Sequence, residues 1–179
     1  MIISLSFSPT DAQIRAKDEI IDDISKPIKM NRLLQGDVGS GKTLVAVMAM
    51  LECVESGGQA AFMAPSEILA RQHFETLSTM LQDFQLNIKI LTGRDRGAQR
   101  EELLSELKAG EIDILIGTHA LFQLDVIYHK LRLCIIDEQH RFGVQQRMEL
   151  GAKGKAVDIL IMSATPIPVS YTHLRAHET

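Results

Sequence analysis

The segment from Gly36 to Thr43 constrains the fold more than any other part of this 179-residue chain. It matches the pattern G-x-x-x-x-G-K-[S/T], follows a predicted strand at residues 31–35 and opens a predicted helix at residues 42–56. In that context the glycines allow backbone N–H groups to point toward an anion, which the helix dipole also favours. The segment predicts a phosphate-binding loop made of Gly36, Asp37, Val38, Gly39, Ser40, Gly41, Lys42 and Thr43.

Two side chains of this loop suit the chemistry of a nucleotide. The Lys42 ammonium can reach the β- and γ-phosphates, and the Thr43 hydroxyl can ligate Mg²⁺. The sequence therefore predicts ATP and Mg²⁺ as the bound cofactors. The alternative is a glycine-rich turn with a chance Lys-Thr pair, which the flanking strand and helix disfavour.

Apolar runs alternate with helical patterns along the rest of the chain, which predicts one doubly wound α/β domain with a mainly parallel sheet and helices on both faces. Further strands are predicted at residues 59–64, 87–91, 112–117, 131–137 and 157–163. Further helices are predicted at residues 10–24, 66–84 and 97–109.

A second candidate site follows the apolar run at residues 131–136 and reads Asp137-Glu138-Gln139-His140. In open α/β sheets ligands bind at the carboxyl ends of the strands, on the rim that also carries the phosphate-binding loop. Asp137 is suited to be the carboxylate that helps to hold Mg²⁺. Glu138 is suited to orient or deprotonate the attacking water. Gln139 and His140 could sense the γ-phosphate. The alternative is an acidic strand end that caps the next helix.

Two shorter patterns favour structural roles when spacing alone is considered. Ser163 and Thr165 stand at the end of the last apolar run and could relay the nucleotide state, but Pro166 favours a simple turn. Gln13 stands three residues after Thr10, which is the spacing of a capping box at a helix start. Spacing cannot reveal whether Gln13 also reads an adenine edge.

Composition limits the remaining possibilities. The net charge is −4 and the pI about 5.9, so any contact with nucleic acid must be local or shared with other parts of a larger protein. No apolar run has the ~20 residues needed to cross a membrane. Cys53 and Cys134 lie in apolar segments, and the chain start lacks the basic residues of a secretory signal, which together predict a cytoplasmic location. His173 and His177 are four apart but have no third ligand, so no metal beyond nucleotide-bound Mg²⁺ is predicted.

Five segments together resemble, in order and spacing, the first motor domain of the RecG family of superfamily 2 DNA helicases. They are Gln35–Thr43, Ala64–Phe74, Ile116–Leu121, Ile136–Arg147 and Met162–Pro168. The stretch from Leu91 to Leu104 is similar as well. The Mfd family of translocases resembles the same blocks, but its acidic box usually has Glu in the third place, so Gln139 favours the RecG family.

The resemblance implies a RecA-like P-loop NTPase fold and an ATP-dependent DNA helicase that remodels stalled forks and Holliday junctions in repair and recombination. It implies catalytic roles for Lys42, Asp137 and Glu138, and an adenine-reading role for Gln13. Coupling of hydrolysis to movement would fall to Gln139, His140, Ser163 and Thr165. The DNA backbone path would be lined by Pro65, Ser66, Thr92, Gly93, Arg94, Thr118 and His119.

The resemblance also implies a domain organisation. Residues 1–168 are expected to form the ATP-binding motor domain, and residues 169–179 resemble nothing in the family and are expected to be foreign to it. Pro9 and Ser66 are mild departures from the usual Leu and Thr. A wedge domain that binds the junction and a second motor domain that supplies arginine fingers are the expected partners, besides forked or branched DNA.

Because such fingers contribute about 10³–10⁵ in rate, the chain alone is expected to bind ATP-Mg²⁺ but to hydrolyse it poorly. Three alternatives remain: an Mfd-like translocase domain, a nucleotide-binding module that does not translocate, and an inactive scaffold. A nucleotide switch would not need the hydroxyls of Ser163 and Thr165 together with Thr118 and His119, which favours the motor.

Overall fold

The computed structural model describes residues 8–37, 39, 41–137, 153 and 157–164. Four α-helices fall in these ranges: α1 (Asp11–Ser25), α2 (Lys42–Glu55), α3 (Glu67–Met80) and α4 (Gly97–Ala109). The strands are β1 (Asn31–Gln35), β2 (Gln59–Met63), β3 (Ile88–Leu91), β4 (Ile114–Gly117), β5 (Leu131–Asp137) and β6 (Asp158–Ser163). A short 3₁₀ helix spans His119–Phe122.

The six described strands form one sheet in the order β1-β6-β5-β2-β4-β3, and every pair is parallel. Helices α1, α2 and α3 cover one face, where Ile20, Leu77 and Phe62 are buried in one hydrophobic core. Helix α4 and the 3₁₀ helix cover the other face, where Leu107 and Leu121 are buried. Apolar strands buried on both faces are typical of parallel sheets, and the predicted α/β class is confirmed.

Helix α1 begins with the capping box expected from the sequence. The Thr10 hydroxyl accepts from the Gln13 N–H at 3.3 Å, and the Gln13 Oε1 accepts from the Thr10 N–H at 2.9 Å. The helix is also tied to β1, because the Arg32 guanidinium binds the carboxylates of Asp23 and Glu19 at 2.6 and 2.7 Å. These contacts fix the helix beside the strand that leads into the phosphate-binding loop.

Two predicted boundaries differ from the structure by more than one residue. Helix α3 ends at Met80 rather than at Phe84, because the chain turns at Leu81 and the Phe84 N–H donates to the Leu81 carbonyl at 3.0 Å. The turn buries Leu81 and packs Phe84 against the same core. Strand β4 begins at Ile114 rather than at residue 112. The 3₁₀ helix was not predicted from the sequence.

None of the described helices is long and apolar enough to cross a membrane.

Candidate functional site

The candidate site lies where three neighbouring strands end. In the sheet register Gln35 of β1 pairs with Ser163 of β6, and Met162 pairs with Asp137 of β5. The loop after β1 is joined to this edge by the Gly36 N–H, which donates to the Ser163 carbonyl at 3.2 Å. The structure therefore places the phosphate-binding loop next to the ends of β6 and β5. This agrees with the expectation that ligands bind at the carboxyl ends of the strands in open α/β sheets.

The loop has the backbone that its glycines suggest. Gly39 and Gly41 have φ of +83° and +79°, in the left-handed region that glycine adopts without steric cost. Helix α2 begins directly afterwards, and the N–H groups of Leu44 and Val45 donate to the Gly41 carbonyl. Val38 and Ser40 lie outside the described residues. The described part presents the N-terminus of an α-helix behind a glycine-rich turn, which is a general anion-binding arrangement.

Lys42 is folded against the loop itself. Its ammonium donates to the carbonyl oxygens of Gly36 at 2.5 Å and of Asp37 at 2.9 Å. The charged group therefore lies at the inner side of the turn. Thr43 follows in the first turn of α2 and is half-buried.

Gln13 reaches the loop from α1 as well as capping that helix. A Cβ atom placed on Gly41 would come within 1.9 Å of the Gln13 Nε2, so the amide lies against the loop backbone. The two interpretations of Gln13 are therefore geometrically compatible: one end of its amide closes the capping box, and the other end lies against the phosphate-binding loop.

Asp137 is held by a residue that the sequence did not indicate. Its Oδ2 lies 2.8 Å from Nε2 of His73 on α3, and both side chains are mostly buried. The imidazole also packs on Phe62 of β2, with ring centroids 4.7 Å apart. Sixty-four residues separate His73 from Asp137, and no motif links them, so only the fold brings them together.

The described part of the rim provides oxygen donors suited to a nucleotide-bound cation. Mg²⁺ prefers oxygen ligands and is usually held by one or two protein groups together with substrate phosphates and water. The Thr43 hydroxyl and the Asp137 carboxylate supply such donors. No cluster of three His, Cys, Asp or Glu side chains that could hold a metal by itself occurs among the described residues. The donor set therefore fits a cation that arrives with its nucleotide.

Four predicted site residues lie outside the described residues, namely Glu138, Gln139, His140 and Thr165. Ser163 is described and buried, at the end of β6 next to the loop.

The residues predicted to line a DNA path follow the other three strands at the same edge of the sheet. Pro65 and Ser66 follow β2, residues 92–94 follow β3, and Thr118 and His119 follow β4. Ser66 caps α3, since its hydroxyl accepts from the Leu69 N–H at 3.3 Å. The carboxyl edge therefore carries the nucleotide candidates on one half and the DNA candidates on the other.

The side chains of the DNA candidates that follow β2, β3 and β4 differ in what they can contact. Thr92 is buried, and its hydroxyl donates to Asp95 at 3.0 Å, so it shapes the turn after β3. Arg94 is 84% exposed, and its Nε lies 3.1 Å from a carboxylate oxygen of Glu67. Glu67 also binds Arg71, one helical turn later. The Glu67–Arg71 pair could have been predicted from its i,i+4 spacing, whereas the Arg94 contact could not.

Residues 10–173 match the sequence profile of the DEAD/DEAH box helicases. The chain therefore belongs to the DEAD/DEAH box helicase family. Within it the chain is similar to ATP-dependent DNA helicases named RecG. It is 53% identical to that of Bacillus subtilis over 167 residues, covering 93% of this chain and 24% of that protein. It is also 53% identical to that of Thermotoga maritima over 169 residues, covering 94% and 22%.

Comparison with solved structures also finds similarity to RecG. A structure of RecG bound to a three-way DNA junction matches with a TM-score of 0.82 and 48% identity, over 96% of this chain and 23% of that one. The resemblance to RecG is thereby confirmed. A Saccharomyces cerevisiae Dbp5 structure with bound RNA matches at 19% identity and a TM-score of 0.70, which confirms the RecA-like fold alone. The chain spans about a quarter of the length of the RecG proteins it matches.

Proposed function

We propose that this chain is the ATP-binding motor domain of a RecG-like helicase that remodels branched DNA, such as stalled forks and Holliday junctions. The observation that carries the proposal is the phosphate-binding loop with Lys42, next to Asp137 on the carboxyl edge. The identity of about half the residues to RecG proteins supports the choice of helicase. The RecG structure on a three-way junction supports branched DNA as the substrate.

Each residue has a task in this proposal. Lys42 binds phosphate oxygens, and Thr43 and Asp137 hold the cation that accompanies the nucleotide. That cation, Mg²⁺, would neutralise charge on the transferred phosphoryl group. Glu138 orients or deprotonates the attacking water, and Gln13 reads the adenine edge. Coupling to movement falls to Gln139, His140, Ser163 and Thr165, and the DNA backbone is contacted by Pro65, Ser66, Thr92, Gly93, Arg94, Thr118 and His119.

The proposed domain covers residues 1–168, and residues 169–179 have no part in it. Its partners are a wedge domain, a second motor domain and the DNA itself, in the cytoplasm. Because the arginine fingers of a second motor domain contribute about 10³–10⁵ in rate, the chain alone binds ATP-Mg²⁺ and turns it over slowly. Rapid, junction-stimulated ATP hydrolysis by the purified 179-residue chain would contradict this part of the proposal.

Nucleotide binding is tested by Lys42→Ala. Hydrogen bonds to charged groups contribute about 1.5–3 kcal/mol, so the variant is expected to bind a fluorescent ATP analogue with Mg²⁺ roughly 10- to 100-fold more weakly. Fluorescence titration gives both dissociation constants. Lys108→Ala is the matched control, since Lys108 is exposed in the last turn of α4. Equal binding by the Lys42→Ala variant and the unsubstituted chain, or no binding by either, would refute the proposal.

A further inference from the structure

We propose that His73 is a positioning residue for the nucleotide site: it holds the Asp137 carboxylate in the orientation that receives the magnesium ion. The inference rests on the proposed function, because it assigns His73 a task only if Asp137 serves a nucleotide-bound cation.

The contact between the two side chains is short and shielded. Nε2 of His73 lies 2.8 Å from Oδ2 of Asp137, and the side chains are only 18% and 19% exposed. A carboxylate is an acceptor only, so Nε2 carries the proton and donates. The imidazole engages Oδ2 of Asp137, and the proposal assigns the other oxygen, Oδ1, to the cation or to a water bound to it.

His73 is itself held in place on two sides. Its backbone belongs to the middle of α3, which begins at the Ser66 cap and is packed on the sheet through Leu77. Its ring stacks at a tilt of 49° on Phe62. Phe62 is paired in the sheet with Ile135, two residues before Asp137. The carboxylate thus belongs to β5, and the donor is packed against the adjacent strand β2, so the core sets the distance between them.

The carboxylate needs such a partner. The terminal torsion of an aspartate has a broad energy profile, so the oxygens can rotate unless a hydrogen bond fixes them. Donors that orient the ligands of a metal are generally worth about 10- to 100-fold in metal affinity. His73 occupies that position for Asp137.

The simpler explanation is that His73 only fills space against Phe62. Two substitutions separate the explanations. His73→Phe keeps an aromatic ring against Phe62 but removes the donor, and His73→Gln loses the ring but keeps an N–H near the position of Nε2. A packing role predicts that the Phe variant is the milder one, whereas a positioning role predicts the reverse.

The experiment measures the Mg²⁺ dependence of nucleotide binding. A fluorescent ATP analogue is titrated into the 179-residue chain at a series of Mg²⁺ concentrations, and the Mg²⁺ midpoint is compared between variants. We expect His73→Phe to raise the midpoint about 10-fold or more, His73→Gln to change it less than about 3-fold, and binding without Mg²⁺ to be the same in both. His129→Phe, the same change at an exposed histidine just before β5, should leave the midpoint unchanged.

The outcomes are distinguishable. A midpoint unchanged in His73→Phe, or raised equally in His73→Gln, overturns the inference while the proposed function stands. Failure of the unsubstituted chain to bind the analogue overturns both. If circular dichroism finds His73→Phe unfolded, His73→Asn replaces it, because the shorter amide cannot reach Oδ2. A midpoint raised in the Asn variant but not in the Gln variant supports the inference, and equal midpoints overturn it.

Discussion

At the scale of single residues, the backbone of Gly41 and the side chain of Gln13 depend on each other. Gly41 has φ of +79°, and the Gln13 Nε2 occupies the space where any Cβ at position 41 would lie. Gln13 is in turn fixed by the hydrogen bond from the Thr10 N–H. The glycine is therefore required for two separate reasons, its positive φ and the amide packed on it.

Gly41→Ala tests both reasons. The positive φ alone costs a non-glycine residue about 1–2 kcal/mol, and displacing Gln13 adds about 1 kcal/mol through the lost cap. We expect urea unfolding to give a loss of roughly 2–3 kcal/mol. Gly57→Ala is the matched control, because Gly57 has φ of +83° and nothing within 4 Å of its Cβ position.

A double substitution isolates the second reason. In a Gln13→Ala background, Gly41→Ala should cost no more than Gly57→Ala does in the unsubstituted chain. If the full cost persists without Gln13, then the amide does not contribute to the requirement for glycine.

The two residues most relevant to the site differ in how far the sequence could predict them. The capping box of Gln13 was predictable because it is a local pattern, whereas the nucleotide role that the family resemblance implies for Gln13 stays a prediction. His73 was not, because a hydrogen bond across 64 residues exists only when α3 is packed beside the end of β5. Local sequence patterns can identify candidate site residues. Which other side chains hold those residues in place is determined by the fold.

At the scale of elements, α1 is joined to β1 by a forked ion pair. The Arg32 guanidinium donates twice to one Asp23 oxygen, at 2.9 and 2.6 Å, and once to Glu19 at 2.7 Å. The hydrogen bond from Arg32 lowers the pKa of the Asp23 carboxyl below its ordinary value of 3.8, with a smaller contribution from Lys26. The pair therefore stabilises the docking of α1 only while Asp23 is ionised.

Asp23→Asn is expected to lower the free energy of unfolding by about 0.5–1 kcal/mol at pH 7, a typical value for a part-exposed pair with good geometry. A carboxyl whose pKa is depressed by folding contributes stability above its unfolded pKa and loses it as the pH falls through the folded pKa. The difference from the unsubstituted chain should therefore shrink below pH 3.8. Urea unfolding at pH 7 and at the lowest pH where the domain remains folded measures this.

Asp22→Asn serves as the control, because Asp22 is exposed and pairs only with the exposed Lys26 in the described structure. Its expected effect is about 0.3 kcal/mol or less. A cost for Asp23→Asn that stays constant down to pH 3 would contradict the assigned ion pair.

The elements also separate what sequence patterns can predict from what they cannot. The limits of β1, α4 and β5 agree with the prediction, because each is bounded by glycine or by a charged strand end. The overlong α3 reflects an apolar pattern that continues through Leu81 and Phe84, although a turn rather than a helix buries them. The 3₁₀ helix at residues 119–122 was missed because four residues are too few for periodicity to register.

At the scale of the whole molecule, the two cysteines lie in the cores on opposite faces of the sheet. Burial raises the pKa of the Cys53 thiol to about 12 and that of Cys134 further. The thiolate is the reactive form, so a shift of this size leaves about a thousandth of the usual thiolate or less at neutral pH. Both thiols are reachable only when their cores open.

Labelling with an aromatic disulfide reagent should therefore be slow in the native chain. We expect both thiols to react together, at a rate that rises with urea in step with global unfolding, since each is sealed by a core. The released chromophore and mass spectrometry of the labelled peptides measure the two rates. A single thiol that reacts at the rate of a free cysteine would contradict the described packing.

The sheet order has one more consequence. Among the described strands β1 pairs only with β6, and the Met30 N–H that leads into β1 donates to the Asp158 carboxylate, 128 residues further along the chain. During synthesis on the ribosome, β2, β4 and β5 can pair long before β6 emerges. Strand β1, which leads into the phosphate-binding loop, therefore gains its described neighbour in the sheet only after residues 158–163 have been synthesised.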